Sequence, residues 1–169
     1  MSKEKQKKGK YWVKIPWLKD GYYYTKNLNH YNNKVGDCAI RAIMAFSNCT
    51  KKFSWYKIYS NLFAISMKND SNSRNKEVIK ELIDKAHETE VIIDPYKDKG
   101  EVYDPELEKQ ISIKDFMKKY PKGNYFVIIY KTWSDSHAVC IRDQVIFDYN
   151  TNYSGEEKVV WALKEIKRI

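Results

Sequence analysis

The chain has 169 residues, 43% of them apolar, and a formal net charge of +9. This length supports one domain with its own core, without disulfide or metal staples, and the apolar share excludes a wholly disordered chain. Three cysteines with no CxxC spacing exclude a disulfide framework and a structural zinc site, and no run reaches the ~18 apolar residues of a membrane span.

Residues 1–10 hold five lysines and one glutamate, and they read as a disordered basic tail ahead of a single domain over 11–169. The N-terminus lacks the apolar stretch of a signal peptide, so a reducing, cytoplasmic setting is expected. Tyr11 to Tyr24 is aromatic and lysine-rich, interrupted by Pro16 and Gly21. It reads as a short strand or an extended arm whose rings cover the core. Interleaved aromatics and lysines also suit base stacking. A polar loop follows over 27–36.

A first helix is predicted from Cys38 to about Asn48, with Ile40, Ile43, Met44 and Phe46 as its apolar side. A second starts near Ser54 and aligns Tyr56, Tyr59, Leu62 and Phe63. A third spans about Lys76 to Glu88, striped by Val78, Ile79, Leu82, Ile83 and Ala86. Val91 to Asp94 is a candidate edge strand ended by Pro95, and 96–110 is a hairpin or lid loop. Ser112 with Asp115 forms a variant capping box for a short helix that Pro121 and Gly123 terminate. The texture then becomes β: Tyr125–Tyr130, His137–Ile141, Gln144–Asp148 and Val159–Ile166. Helices first and an antiparallel meander second predict an α+β fold, with N-terminal helices packed on a C-terminal antiparallel sheet.

Cys38 begins a helix directly after Gly36-Asp37. Asp37 is a good N-cap, and the helix dipole favours a thiolate at that first position. Cysteine is also a common core residue, so a nucleophile needs a partner base. The β half offers one. With Arg142-Asp143 as a two-residue hairpin turn, His137 faces Asp148 across the ladder, close enough to pair. Asp148 then orients the imidazole, with Asn150 as the alternate on the same face. An oxyanion needs preorganised donors; the Cys38 N–H is one, and Asn32, six residues upstream, is a second, with Asn33 as its alternate. Of the other candidates, Cys49 and Cys140 read as core thiols, His87 as a structural residue at a helix end, and His30 as a loop residue near Cys38.

A cysteine at a helix start, then histidine and Asx on successive late strands, resembles the papain-like cysteine peptidase superfamily. The runs Gly36–Ala42, Ser136–Val139 and Phe147-Asp148 carry the likeness. The separation of Cys38 from His137 is similar to that in its compact members, the bacteriocin-leader-processing peptidases and small bacterial or phage papain-like domains. The resemblance implies Cys38 as nucleophile, His137 as general base and acid, Asp148 as orienter and Asn32 where the family usually has glutamine. Ala39 stands where papains carry tryptophan. The implied activity is a thiol hydrolase or acyl transferase acting on a peptide or protein substrate, with no metal and no cofactor. Two rival expectations stand beside it. One is a papain-like binding protein with a vestigial triad, such as a phage-encoded inhibitor of a host protein. The other is an acidic partner or nucleic acid bound through the basic N-terminal arm.

Overall fold

The computed structural model describes residues 5–9, 11–14, 38–48, 52–70, 75–95, 110–130, 136–148 and 152–169. The fold is α+β, as expected. Helices α1 (Cys38–Phe46), α2 (Lys52–Lys68) and α3 (Lys76–Ile83) come early and α4 (Ile113–Lys119) later. The strands are β1 (Lys5–Gly9), β2 (Tyr11–Lys14), β3 (His87–Ile93), β4 (Asn124–Tyr130), β5 (Ser136–Arg142), β6 (Val145–Phe147), β7 (Asn152–Tyr153) and β8 (Lys158–Arg168). They form one sheet in the order β3-β8-β4-β5-β6-β2-β1-β7.

The run Tyr125-Phe-Val-Ile-Ile-Tyr130 makes β4 a central strand buried on both faces. Phe126, Ile128 and Tyr130 pack with α1, α2 and α3, while Tyr125, Val127 and Ile129 pack with α4. Such unbroken apolar runs are what two covered faces demand. In β8 a bulge at Val160 lets Val159 face the α4 side and Trp161 the α1 side, because the extra residue flips the alternation. Ser112 caps α4, its hydroxyl accepting the Asp115 N–H at 3.2 Å.

Four expectations need correction. Residues 5–9 were expected in a disordered tail but form β1, paired antiparallel with β2 and parallel with β7. Backbone pairing at a sheet margin needs no apolar side chains, and lysine is a usual margin residue. With β2 parallel to β6, the sheet is therefore not wholly antiparallel or C-terminal. Helix α2 starts at Lys52, ahead of the expected cap Ser54. Helix α3 stops at Ile83 rather than near Glu88, and His87 opens β3. There the chain is drawn off by pairing with β8, by the Thr89 hydroxyl donating to Asp84 at 2.6 Å, and by the Ile169 N–H donating to the Ala86 carbonyl at 2.9 Å. The stripe through Ala86 thus outran the helix.

The fourth correction concerns the β5–β6 turn. It is Asp143-Gln144, both with positive φ (50° and 66°), not Arg142-Asp143. Two positive φ values define the hairpin turn that matches strand twist. Tertiary contacts hold it there: Gly123 N–H donates to Asp143 Oδ1 at 2.9 Å, and Gln144 Nε2 donates to the Met117 carbonyl at 3.1 Å.

Candidate active site

The first residue of α1 is Cys38, half-buried against the helical side of the core. The last carbonyls of α1 are held by three strands: Asn124 Nδ2 donates to Phe46 O at 2.8 Å, Arg168 Nη2 to the same oxygen at 3.4 Å, and Arg142 Nη2 to Ala45 O. Satisfying these otherwise orphan carbonyls pins one end of a nine-residue helix to the sheet. The other end, about 13 Å away at the helical rise, is thereby fixed where Cys38 sits.

His137 lies at the start of β5 and Asp148 immediately follows β6. His137 Nε2 and Asp148 Oδ2 are 2.9 Å apart. The pairing was foreseen, but its register was not. Cys140 pairs with Phe147 and Ile141 with Ile146, so one more step would set Val139, not His137, opposite Asp148. The slip is two residues. Because side chains alternate with period two, both groups stay on one face and become diagonal neighbours. A slip of one would have parted them.

The Cys38 side chain hydrogen-bonds the same imidazole. With Nε2 committed to Asp148, Nδ1 is left for the sulfur. Burial is the largest single influence on His137 and disfavours its charged form. The hydrogen bonds that the charged ring donates to Asp148 and Cys38, and the negative charges of those two groups, outweigh it and raise the pKa from 6.5 to about 9. At neutral pH the ring is an imidazolium facing sulfur. By the same coupling, a cation beside the thiol favours the thiolate. The His137 ring is 18% exposed and Asp148 3%, so the carboxylate is sheltered while the imidazole stays partly open.

Tyr153, on β7, is a member that sequence reasoning missed. Its buried hydroxyl donates to Asp148 Oδ2 at 2.5 Å, the oxygen that also meets His137. A bifurcated carboxylate is fixed in rotation, so the ring it orients is fixed too. The signal was present as a tyrosine shortly after Asp148 in an otherwise polar run, but nothing in periodicity marks it.

Asn32, Asn33, Asn150, His30, Cys49 and the cap Asp37 lie outside the described residues. Cys140 is a core thiol as expected; burial pushes its pKa up to about 12, and its Sγ donates to Asn124 Oδ1 at 3.3 Å. His87 is buried at the opposite end of α1 from Cys38. Its Nδ1 is 2.6 Å from Glu165 Oε2 and its Nε2 is 2.8 Å from Ser47 Oγ. Burial, outweighing Glu165, lowers its pKa. The order hydroxyl–imidazole–carboxylate mimics a relay. Yet Ser47 stands at the negative end of α1, where a developing oxyanion would be repelled; the network joins α1 to β3 and β8.

No family model, curated protein or solved structure matches this chain.

Proposed function

We propose that this chain is a papain-like cysteine hydrolase or acyl transferase that attacks a peptide or amide bond through Cys38, His137 and Asp148. One observation carries the reading. A cysteine at a helix mouth, an imidazole on a strand and a buried carboxylate come from opposite halves of the chain, yet form one hydrogen-bonded series. Core packing does not explain that order, since a partly exposed imidazolium gains nothing from apolar neighbours.

The thiolate of Cys38 adds to the carbonyl carbon. The oxygen, now negative, is met by the Cys38 N–H, with Asn32 as the second donor that the sequence suggests. The tetrahedral intermediate collapses as His137 gives its Nδ1 proton to the departing amine, leaving a thioester. Water then adds, with His137 taking its proton. Expulsion of the thiolate releases the carboxylic acid and restores the ion pair. An amine in place of water makes the same sequence a transfer. Asp148 holds the ring through Nε2 and keeps the tautomer correct. The nucleophile requires a reduced thiol, which fits a cytoplasmic setting. No described helix is long and apolar enough to cross a membrane.

The test is site-resolved labelling by iodoacetamide near neutral pH, read by mass spectrometry. Cys38 is expected to react faster than Cys49 and Cys140, and to lose that advantage in His137→Ala. Equal, slow labelling of all three sinks the reading.

A further inference from the structure

The basic N-terminal segment has a definite place in the sheet. Four of the nine residues in β1 and β2 are lysines (Lys5, Lys7, Lys8 and Lys14) and none is acidic. Strand β2 runs parallel to β6, with Lys14 in register with Phe147, one residue before Asp148. Strand β1 runs parallel to β7, with Lys8 in register with Asn152 and Gly9 with Tyr153. The lysine-rich ribbon therefore lies between the two strands that bring Asp148 and Tyr153 to His137. Adjacent strands are ~4.8 Å apart, which sets the nearest lysine positions within about one Debye length of the triad at ordinary salt. The acids following β7 have other partners. Glu156 pairs with Lys114 at 2.9 Å, and Glu157 accepts from the backbone of Ser154 and Gly155.

We propose that the β1–β2 ribbon selects the substrate: an acidic peptide segment whose carboxylates lie on the ribbon while its scissile amide meets Cys38. This rests on the hydrolase reading above. An acidic peptide, rather than nucleic acid, is the occupant because the ribbon adjoins machinery built to attack an acyl carbon. Such a segment is extended, and its carboxylates recur along one side at the spacing of a strand. Each unit charge at such range in a water-like medium is worth roughly a factor of two in affinity, so several together give about tenfold.

The experiment uses the full chain. Fluorescence anisotropy follows three labelled peptides of equal length, rich in glutamate, glutamine or lysine, and a short single-stranded DNA, at low salt and at about 0.3 M salt. The glutamate peptide should bind about tenfold more tightly than the glutamine peptide at low salt, and the gap should close at high salt. A quadruple variant, Lys5→Gln, Lys7→Gln, Lys8→Gln and Lys14→Gln, should abolish the preference. If that variant fails to fold, the salt response of the intact chain still decides. In a parallel arm Cys38 is alkylated by anionic iodoacetate and neutral iodoacetamide. The iodoacetate-to-iodoacetamide ratio should fall several-fold as salt rises. Equal binding of the glutamate and glutamine peptides overturns the proposal, as does tighter binding of DNA than of the glutamate peptide. Slow alkylation of Cys38 by both reagents instead overturns the hydrolase reading, so the two failures are told apart.

Discussion

Replacing Asp148 by asparagine keeps the side chain's shape and removes one buried charge. The atom altered is Oδ2, which meets His137 Nε2 at 2.9 Å and the Tyr153 hydroxyl at 2.5 Å. Burial works against a charged ring, so the attractions that lift His137 from 6.5 to about 9 must exceed that burial by about 3 kcal/mol. The hydrogen bond donated to Asp148 is the first of those attractions, and the carboxylate's charge adds another. Loss of a hydrogen bond to a charged partner removes about 1.5–3 kcal/mol. With burial still acting, the ring gives up its proton near neutrality and the proton returns to sulfur. Since 1.36 kcal/mol is tenfold in the equilibrium, the thiolate fraction should drop about ten- to a hundredfold. The assay is the rate of iodoacetamide labelling of Cys38 between about pH 6 and 10, a span that covers both the ordinary imidazole range and the raised one. Asp148→Asn should be slower than the native protein by that factor at the acid end. The two should converge at the alkaline end, where bulk base ionises both thiols. A folded Asp148→Asn protein whose labelling profile matches the native one would refute the claim that Asp148 charges the pair.

Tyr153→Phe leaves one lone pair of a nearly enclosed carboxylate without its donor. It should cost about 1.5–3 kcal/mol in urea unfolding, while slowing Cys38 labelling less than Asp148→Asn does. The stability that His137 contributes is fully present below pH 6.5 and lost as pH rises through about 9, because its folded-state pKa is raised. Thermal melts of native and His137→Gln proteins should therefore converge at alkaline pH; a constant gap would contradict the assignment. His87 has the opposite sign. Burial lowers its pKa from 6.5, so the unfolded chain takes up a proton that the folded one resists, and stability falls as pH drops below 6.5. His87→Gln should flatten that acid limb of the melting profile. Gly123 has φ +116°, and an added Cβ would stand 2.9 Å from Tyr125 Oη, a hydroxyl that donates to the Lys122 carbonyl at 2.7 Å. Gly123→Ala should lower stability by about 1–3 kcal/mol, measured by chemical denaturation.

What was legible in the sequence was local and periodic. The apolar run of β4, the helix opening at Cys38 and the Ser112 cap each follow from a pattern that one segment carries alone. The placement of Cys38, His137 and Asp148 was legible because each falls at the boundary of an element: a helix start, a strand start and the residue after a hairpin strand. What was not legible depends on partners far along the chain. Helix α3 ends where β8 claims His87 as a strand residue, and no glycine marks the stop. Lys5–Gly9 looked like a solvated tail because its own residues offer no apolar face; its order comes from backbone pairing with β2 and β7. Nothing local marks the turn at Asp143-Gln144, since glutamine rarely takes positive φ. Its bonds to Gly123 and Met117 are invisible from the hairpin alone. The wrong turn still led to the right pair because an error of two residues preserves the face.

The central claim is that Cys38 and His137 form a thiolate–imidazolium pair before any substrate arrives. Ultraviolet difference absorbance of the thiolate, native protein minus Cys38→Ser, titrated across pH, measures it directly. The account predicts that the Cys38 signal is already developed at neutral pH, well below the ~8.5 of a free thiol. A signal that appears only in that ordinary thiol range would contradict it.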